Sequence, residues 1–151
     1  MGRCAVVLTL VLGLALPALP ARAADPETRL RRMINEERVR RDLVPLKGAR
    51  KADRLAESHS RKMARAGTVS SSRNVERALR RRGYRFSSWG ENVGCRQTLR
   101  AMHRSFMHRQ ASRRNILLRR FRRVGIGVVV TERDPRVCNG ATVWVTQIFF
   151  G

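Results

Sequence analysis

The hydrophobic period of this chain changes once, and that change restricts its architecture more than any other feature. In the first two thirds the apolar residues recur at helical spacing. Ala52, Leu55, Ala56, His59, Met63 and Ala66 fall at i, i+3, i+4, i+7, i+11 and i+14, and Gly67 stops the pattern. Asp25-Pro26-Glu27 reads as a helix start, with Leu30, Met33 and Ile34 on its apolar side through about Arg41. Ser70-Ser71-Ser72 reads as a loop and cap for a helix through Val75, Leu79 and Arg82, and Gly83 to Gly90 as irregular. Gln97 to about His108 gives another amphipathic stretch with Leu99, Met102 and Phe106 on one side. Past Val124 the character changes. Val124–Val130 and Thr142–Phe149 are rich in β-branched and aromatic residues, and Thr131–Gly140 between them reads as a hairpin loop. Helices followed by a terminal hairpin predict an α+β or layered αβα domain and exclude a βαβ repeat.

The N-terminus predicts export. Arg3 precedes an apolar run from Ala5 to Leu16, and Ala21-Arg22-Ala23 forms a small-x-small cleavage site. Residues 1–23 thus read as a signal peptide. The run is shorter than the roughly 20 residues a bilayer span needs, and Pro17 and Pro20 end it. No transmembrane segment is expected in the mature chain, residues 24–151. A length of this order suits one domain able to bury its own core.

Cys4 leaves with the leader, so Cys95 and Cys138 remain, and in an oxidising compartment they are expected to form one disulfide. Neither has a CxxC partner, and the expected zinc content on cysteine is none. The charge is extreme: 33 Lys and Arg oppose 11 Asp and Glu, a formal +22. A surface of that kind attracts polyanions. Outside the cytoplasm the candidates are anionic wall polymers, lipid surfaces or free nucleic acid. The arginines are spread along the chain without interleaved aromatics, which argues against a dedicated nucleic-acid site.

Six short patterns in order carry a family resemblance. They are Asn35-Glu36-Glu37-Arg38 with Leu43 and Pro45-Leu46; Ala56, His59 and Met63-Ala64; Trp89-Gly90-Glu91-Asn92-Val93; Phe106-Met107 leading to Arg113-Arg114-Asn115-Ile116-Leu117; Val124-Gly125-Ile126-Gly127; and Trp144-Val145-Thr146-Gln147. Together they cover about residues 27–151. This series resembles bacterial CAP domains, the superfamily named for cysteine-rich secretory proteins, antigen 5 and pathogenesis-related 1 proteins. The resemblance implies an αβα sandwich, with helices flanking a small antiparallel sheet that carries the C-terminal hairpin.

The resemblance also implies a cavity in which two histidines and one or two glutamates can bind a divalent metal. Glu91 matches the Glu of the Gly-Glu-Asn signature. Ser71 stands where the first histidine is expected, and Ser112 where the second is, just before Arg113-Arg114-Asn115-Ile116-Leu117. Arg109 falls near the position of the second Glu. The expected cavity set is therefore Ser71, Glu91, Asn92 and Ser112, with no metal and no cofactor. One carboxylate and two hydroxyls do not make a zinc-like donor set. His59 sits on the apolar side of its helix and reads as a buried, hydrogen-bonded residue. His103 and His108, five apart, diverge by about 140° around a helix and do not chelate together. The favoured reading is a secreted, non-enzymatic module that binds an anionic or amphipathic partner. The alternative is a hydrolase using Glu91 with Ser71 or Ser112, although no histidine is placed to activate a serine.

Overall fold

A computed structural model describes residues 24–134 and 136–151; the leader reading over residues 1–23 lies outside the described residues. Helix α1 (Pro26–Val39) starts with proline in its first turn, and the Asp25 carboxylate accepts from the Thr28 N–H at 2.8 Å. A connector leads to the short strand β1 (Lys47–Gly48) and then α2 (Arg50–Ala66), which ends at Gly67 with φ +66°. Helix α3 (Val75–Arg81), strand β2 (Trp89–Arg96), helices α4 (Leu99–His108) and α5 (Gln110–Leu117), and strands β3 (Arg123–Val130) and β4 (Val143–Phe150) follow.

The sheet order is β1-β3-β4-β2. Strands β2 and β3 both run antiparallel to β4, while β1 runs parallel to β3, so the expected antiparallel sheet is mixed at one edge. The central strand, β4, is buried along its whole length.

Side chains alternate across the sheet and meet two helical layers. Val124, Ile126 and Val128 with Val145 and Phe149 face α1, α4 and α5, where Leu30, Ile34, Met102, Phe106 and Ile116 complete the largest core cluster. Ile148 and Phe150 face α2 and α3, packing on Ala52, Ala56, Val75 and Leu79. Helix α2 lies unusually close to the strands. A Cβ on Gly125 would meet Ala52, and one on Gly127 would meet the backbone of Ala56 and Glu57. Ser60 fixes this contact by donating to the Gly127 carbonyl at 3.0 Å and the Thr146 hydroxyl at 2.9 Å.

Two recurring polar groups tie α1 to the rest. Asn35 exchanges hydrogen bonds with both the N–H and the carbonyl of Leu46, holding the connector. Arg38 is wholly buried and donates to the carbonyls of Val44, Ile116, Leu118 and Phe121, at 2.7–3.3 Å. Carbonyl oxygens, including those ending α5, take the place of a carboxylate partner. The outward amides of β3 beyond the reach of β1 are also filled: Ile126 N–H donates to Asp53, and Val128 N–H to Glu27. Burial raises both carboxyls above their ordinary range. Cys95 and Cys138 form the expected disulfide, joining β2 to the loop before β4.

Candidate functional site

The Gly-Glu-Asn segment lies on β2, the strand at one edge of the sheet, and each of its residues does separate work. Gly90 makes room for a side chain, because a Cβ there would sit 2.6 Å from Asn115 Oδ1. Asn115 uses that room to donate to the Glu91 carbonyl at 3.1 Å and to Asn92 Oδ1 at 2.9 Å, covering the strand edge. Asn92 is buried and donates to the Ser112 carbonyl and to Gln147 Oε1, both at 3.1 Å. Glu91 is its neighbour in the strand and so points to the opposite face. There its Oε2 accepts from the Ser72 N–H at 2.9 Å, which anchors the serine loop to the sheet. Glu91 Oε1 is buried without a hydrogen-bond partner, as is the Ser72 hydroxyl.

A pocket of about 390 Å³ opens beside that loop, lined by Ser58, His59, Lys62, Ser71, Ser72 and Arg73 among others. His59 Nε2 lies 2.7 Å from the Ser70 carbonyl, and the ring is only half-buried on the pocket wall. The expectation of a buried histidine is therefore corrected: the residue is hydrogen-bonded, but α2 turns it toward the opening. The serine run does not cap α3 either. That cap is Asn74, in the left-handed conformation at φ +60° with no side-chain hydrogen bond, two residues beyond Ser72.

The sequence profile of the cysteine-rich secretory protein family, CAP, matches residues 31–149. The chain belongs to that family. Solved structures of similar fold include an extracellular SCP-domain protein of Bacillus anthracis, at 21% identity and a TM-score of 0.68 over 83% of this chain and 40% of that one. A cysteine-rich secretory protein of Staphylococcus aureus matches at 18% identity and TM-score 0.65, over 83% and 38% of the two chains. An outer surface protein of Borrelia burgdorferi matches at 12% identity and TM-score 0.67, over 83% and 91%. The CAP domain here thus spans about two fifths of the first two relatives. No curated protein sequence matches it.

The donors of this CAP domain do not fit the metal site that the family resemblance implies. Tetrahedral or octahedral coordination needs three or more N, O or S donors at about 2 Å. Among the described residues no group of three His, Cys, Asp or Glu side chains is placed to hold an ion. Ser71 is exposed, Ser112 is half-buried and enters the Asn92 network through its carbonyl, and Arg109 is exposed at the α4–α5 junction. His108 is exposed, whereas His103 is buried with Nε2 3.8 Å from Glu37 Oε1. Burial holds His103 below its ordinary pKa, against the opposing pull of Glu37. Burial works to raise Glu37 as well, but its hydrogen bond to Arg41 and the charge of Arg40 bring it below the usual carboxylate range.

Two functional features of the CAP domain escaped the sequence reading. Asn115 was visible only as part of a motif, and its pairing with Gly90 depends on how α5 docks across the sheet edge. Lys62 and Arg73 join Ser71 because α2 and the serine loop fold over the same opening. The i, i+3 spacing of His59 and Lys62 was the available signal.

Proposed function

We propose that this chain acts after export as a non-enzymatic CAP module that binds anionic partners outside the cytoplasm. The observation that carries this reading is how the charges are arranged. Asp25, Glu27, Asp53 and Glu91 accept backbone N–H groups. Arg31, Arg32, Arg40, Arg41, Arg61, Arg80 and Arg136 reach a carboxylate, while the other exposed arginines have no ion-pair partner among the described residues. Exposed guanidinium groups without an internal partner are suited to bidentate contact with phosphate or carboxylate. Anionic wall polymers and lipid surfaces present that chemistry, and the leader pattern of residues 1–23 would deliver the protein to them. The extracellular and outer-surface descriptions of similar proteins support that location.

Binding of the secreted protein to a phosphate-bearing wall polymer and to anionic vesicles tests the reading. Counterion release requires affinity to drop at least about tenfold between roughly 50 and 200 mM salt. A flat response would remove the proposal. The unpartnered Glu91 Oε1 favours a second reading, a hydrolase in which that carboxylate activates water. Wild-type turnover of peptide, ester or wall-polymer substrates that is lost in Glu91→Gln would support it, and turnover at the blank level would end it.

A further inference from the structure

We propose that the groove between α3 and the start of β2 binds an anionic saccharide, with the sugar ring stacked on Trp89 and its acid group held by Arg77 and Arg81. The inference deepens the anion-binding reading and rests on it. The groove has a volume of about 560 Å³ and is lined by Asn74, Arg77, Arg80, Arg81 and Trp89, together with Val75 and with Glu76, whose carboxylate is paired with Arg80. Its walls carry both kinds of group that such a ligand requires.

Trp89 is 40% exposed, whereas Trp144 is 1% exposed in the core. None of the three core clusters includes Trp89. Its indole is therefore partly open to the groove and offers an apolar, electron-rich surface suited to the C–H face of a pyranose. Arg77 and Arg81 stand one turn apart on α3, and like charges at that spacing repel. Neither reaches a carboxylate among the described residues. Arg80, between them in sequence, is committed: it donates twice to Glu76 Oε1, at 3.0 and 2.9 Å, and lies 4.6 Å from the centre of the Phe86 ring. Two guanidinium groups are thus left to grip one anion through their planar forks.

A second, separate pocket lies close by in sequence. Asn74 lines the groove, and its sequence neighbour Arg73 lines the serine pocket with Lys62, which adds two further cations on this side of the molecule. A single exposed aromatic provides one stacking platform, whereas single-stranded nucleic acid is held by successive ones. That favours a saccharide.

Intrinsic fluorescence tests the proposal directly, because Trp144 is shielded and Trp89 is not. Trigalacturonate and glucose 6-phosphate, carrying carboxylate and phosphate respectively, are expected to shift the emission of the full secreted protein. Uncharged maltotriose is not. Calorimetry should show Trp89→Ala and the pair Arg77→Ala/Arg81→Ala each weakening trigalacturonate by about tenfold or more, as loss of charge-assisted contacts implies. Arg40→Ala/Arg41→Ala, which removes the same charge from two guanidinium groups committed to Glu37 away from the groove, should leave affinity unchanged, and circular dichroism checks that each variant folds. Inorganic tripolyphosphate binding with trigalacturonate ignored, or trigalacturonate binding that Trp89→Ala leaves intact, would overturn the saccharide site while sparing the anion-binding reading. Failure to bind any of these anions would remove both. Tighter binding of oligothymidylate that depends on Trp89 would replace the saccharide with nucleic acid.

Discussion

On the side of α1, α4 and α5 the sheet meets Leu, Ile, Met and Phe, whereas on the side of α2 and α3 it meets alanine and pairs glycine with helix backbone. The first side occupies many of its buried polar atoms, although His103 Nδ1 and Gln147 Nε2 lack hydrogen-bond partners. Arg38 fills four carbonyls, and Asn92, Asn115 and Gln147 share one chain of hydrogen bonds. On the second side, beyond the tight contact with α2, the structure opens into the serine pocket and the Trp89 groove, and Glu91 Oε1 and the Ser72 hydroxyl lack partners. One layer is sealed by bulk and satisfied polar groups, and the other brings its helix in close and then leaves room at its end. Ligand sites are concave places with a few unspent polar groups; the first layer has one such place beside His103, and the second has its own on the face that Glu91 of the family signature addresses.

The sharpest way to break this contrast is to add volume where α2 touches the sheet. Gly127→Ala would place a methyl inside the α2 backbone, so the cost should exceed about 4 kcal/mol and abolish cooperative unfolding in denaturant titrations. A variant within 1 kcal/mol of wild type, the range of a tolerated swap, would mean that α2 is not close-packed. On the opposite layer Arg38→Met retains length but removes the donor to four carbonyls, of which that of Ile116 is buried and those of Leu118 and Phe121 keep a second donor, at a cost of about 3 kcal/mol. Midpoints that stay put would show that water replaces the guanidinium and that this side is less sealed than described.

The smallest expected effect is a pH slope. His103 is held below its ordinary value by burial, so the folded protein keeps it neutral. As pH falls through the ordinary histidine value of 6.5, the unfolded chain gains a proton that the folded chain resists, and stability declines. Above that value its contribution is fully present. His103→Gln should flatten the stability profile on the acid side, and an unchanged slope would show that His103 charges freely between α1 and α4.

Much of this fold was legible because its strongest elements obey simple periods. Helix α2 ends at Gly67 as the spacing predicts, and Asp25-Pro26 opens α1. The hairpin strands β3 and β4 fall within a residue of their sequence bounds. Strand β2 was hidden because Gly90, Glu91, Asn92 and Gly94 break the apolar alternation; they are chosen for hydrogen bonds and close approach instead of burial. Helix α5 was hidden for a similar reason, since Arg113, Arg114 and Asn115 interrupt any apolar stripe and Ile116 alone is buried. The site was half legible. Glu91 and Ser71 were identifiable as residues, but that Glu91 and Asn92 serve opposite faces follows from the strand that was not seen.

Side chains occupy part of the open edges of this sheet, along β3 beyond the two-residue β1 and on the outer strand β2. Asp53 and Glu27 occupy amides along β3, and Asn115 reaches over β2 to the Glu91 carbonyl. A peptide cannot readily lengthen the sheet by adding itself as a fifth strand. Recognition is thereby biased toward side chains displayed on helices and loops, and edge-to-edge stacking of an arginine-rich protein with its own copies is discouraged along β3.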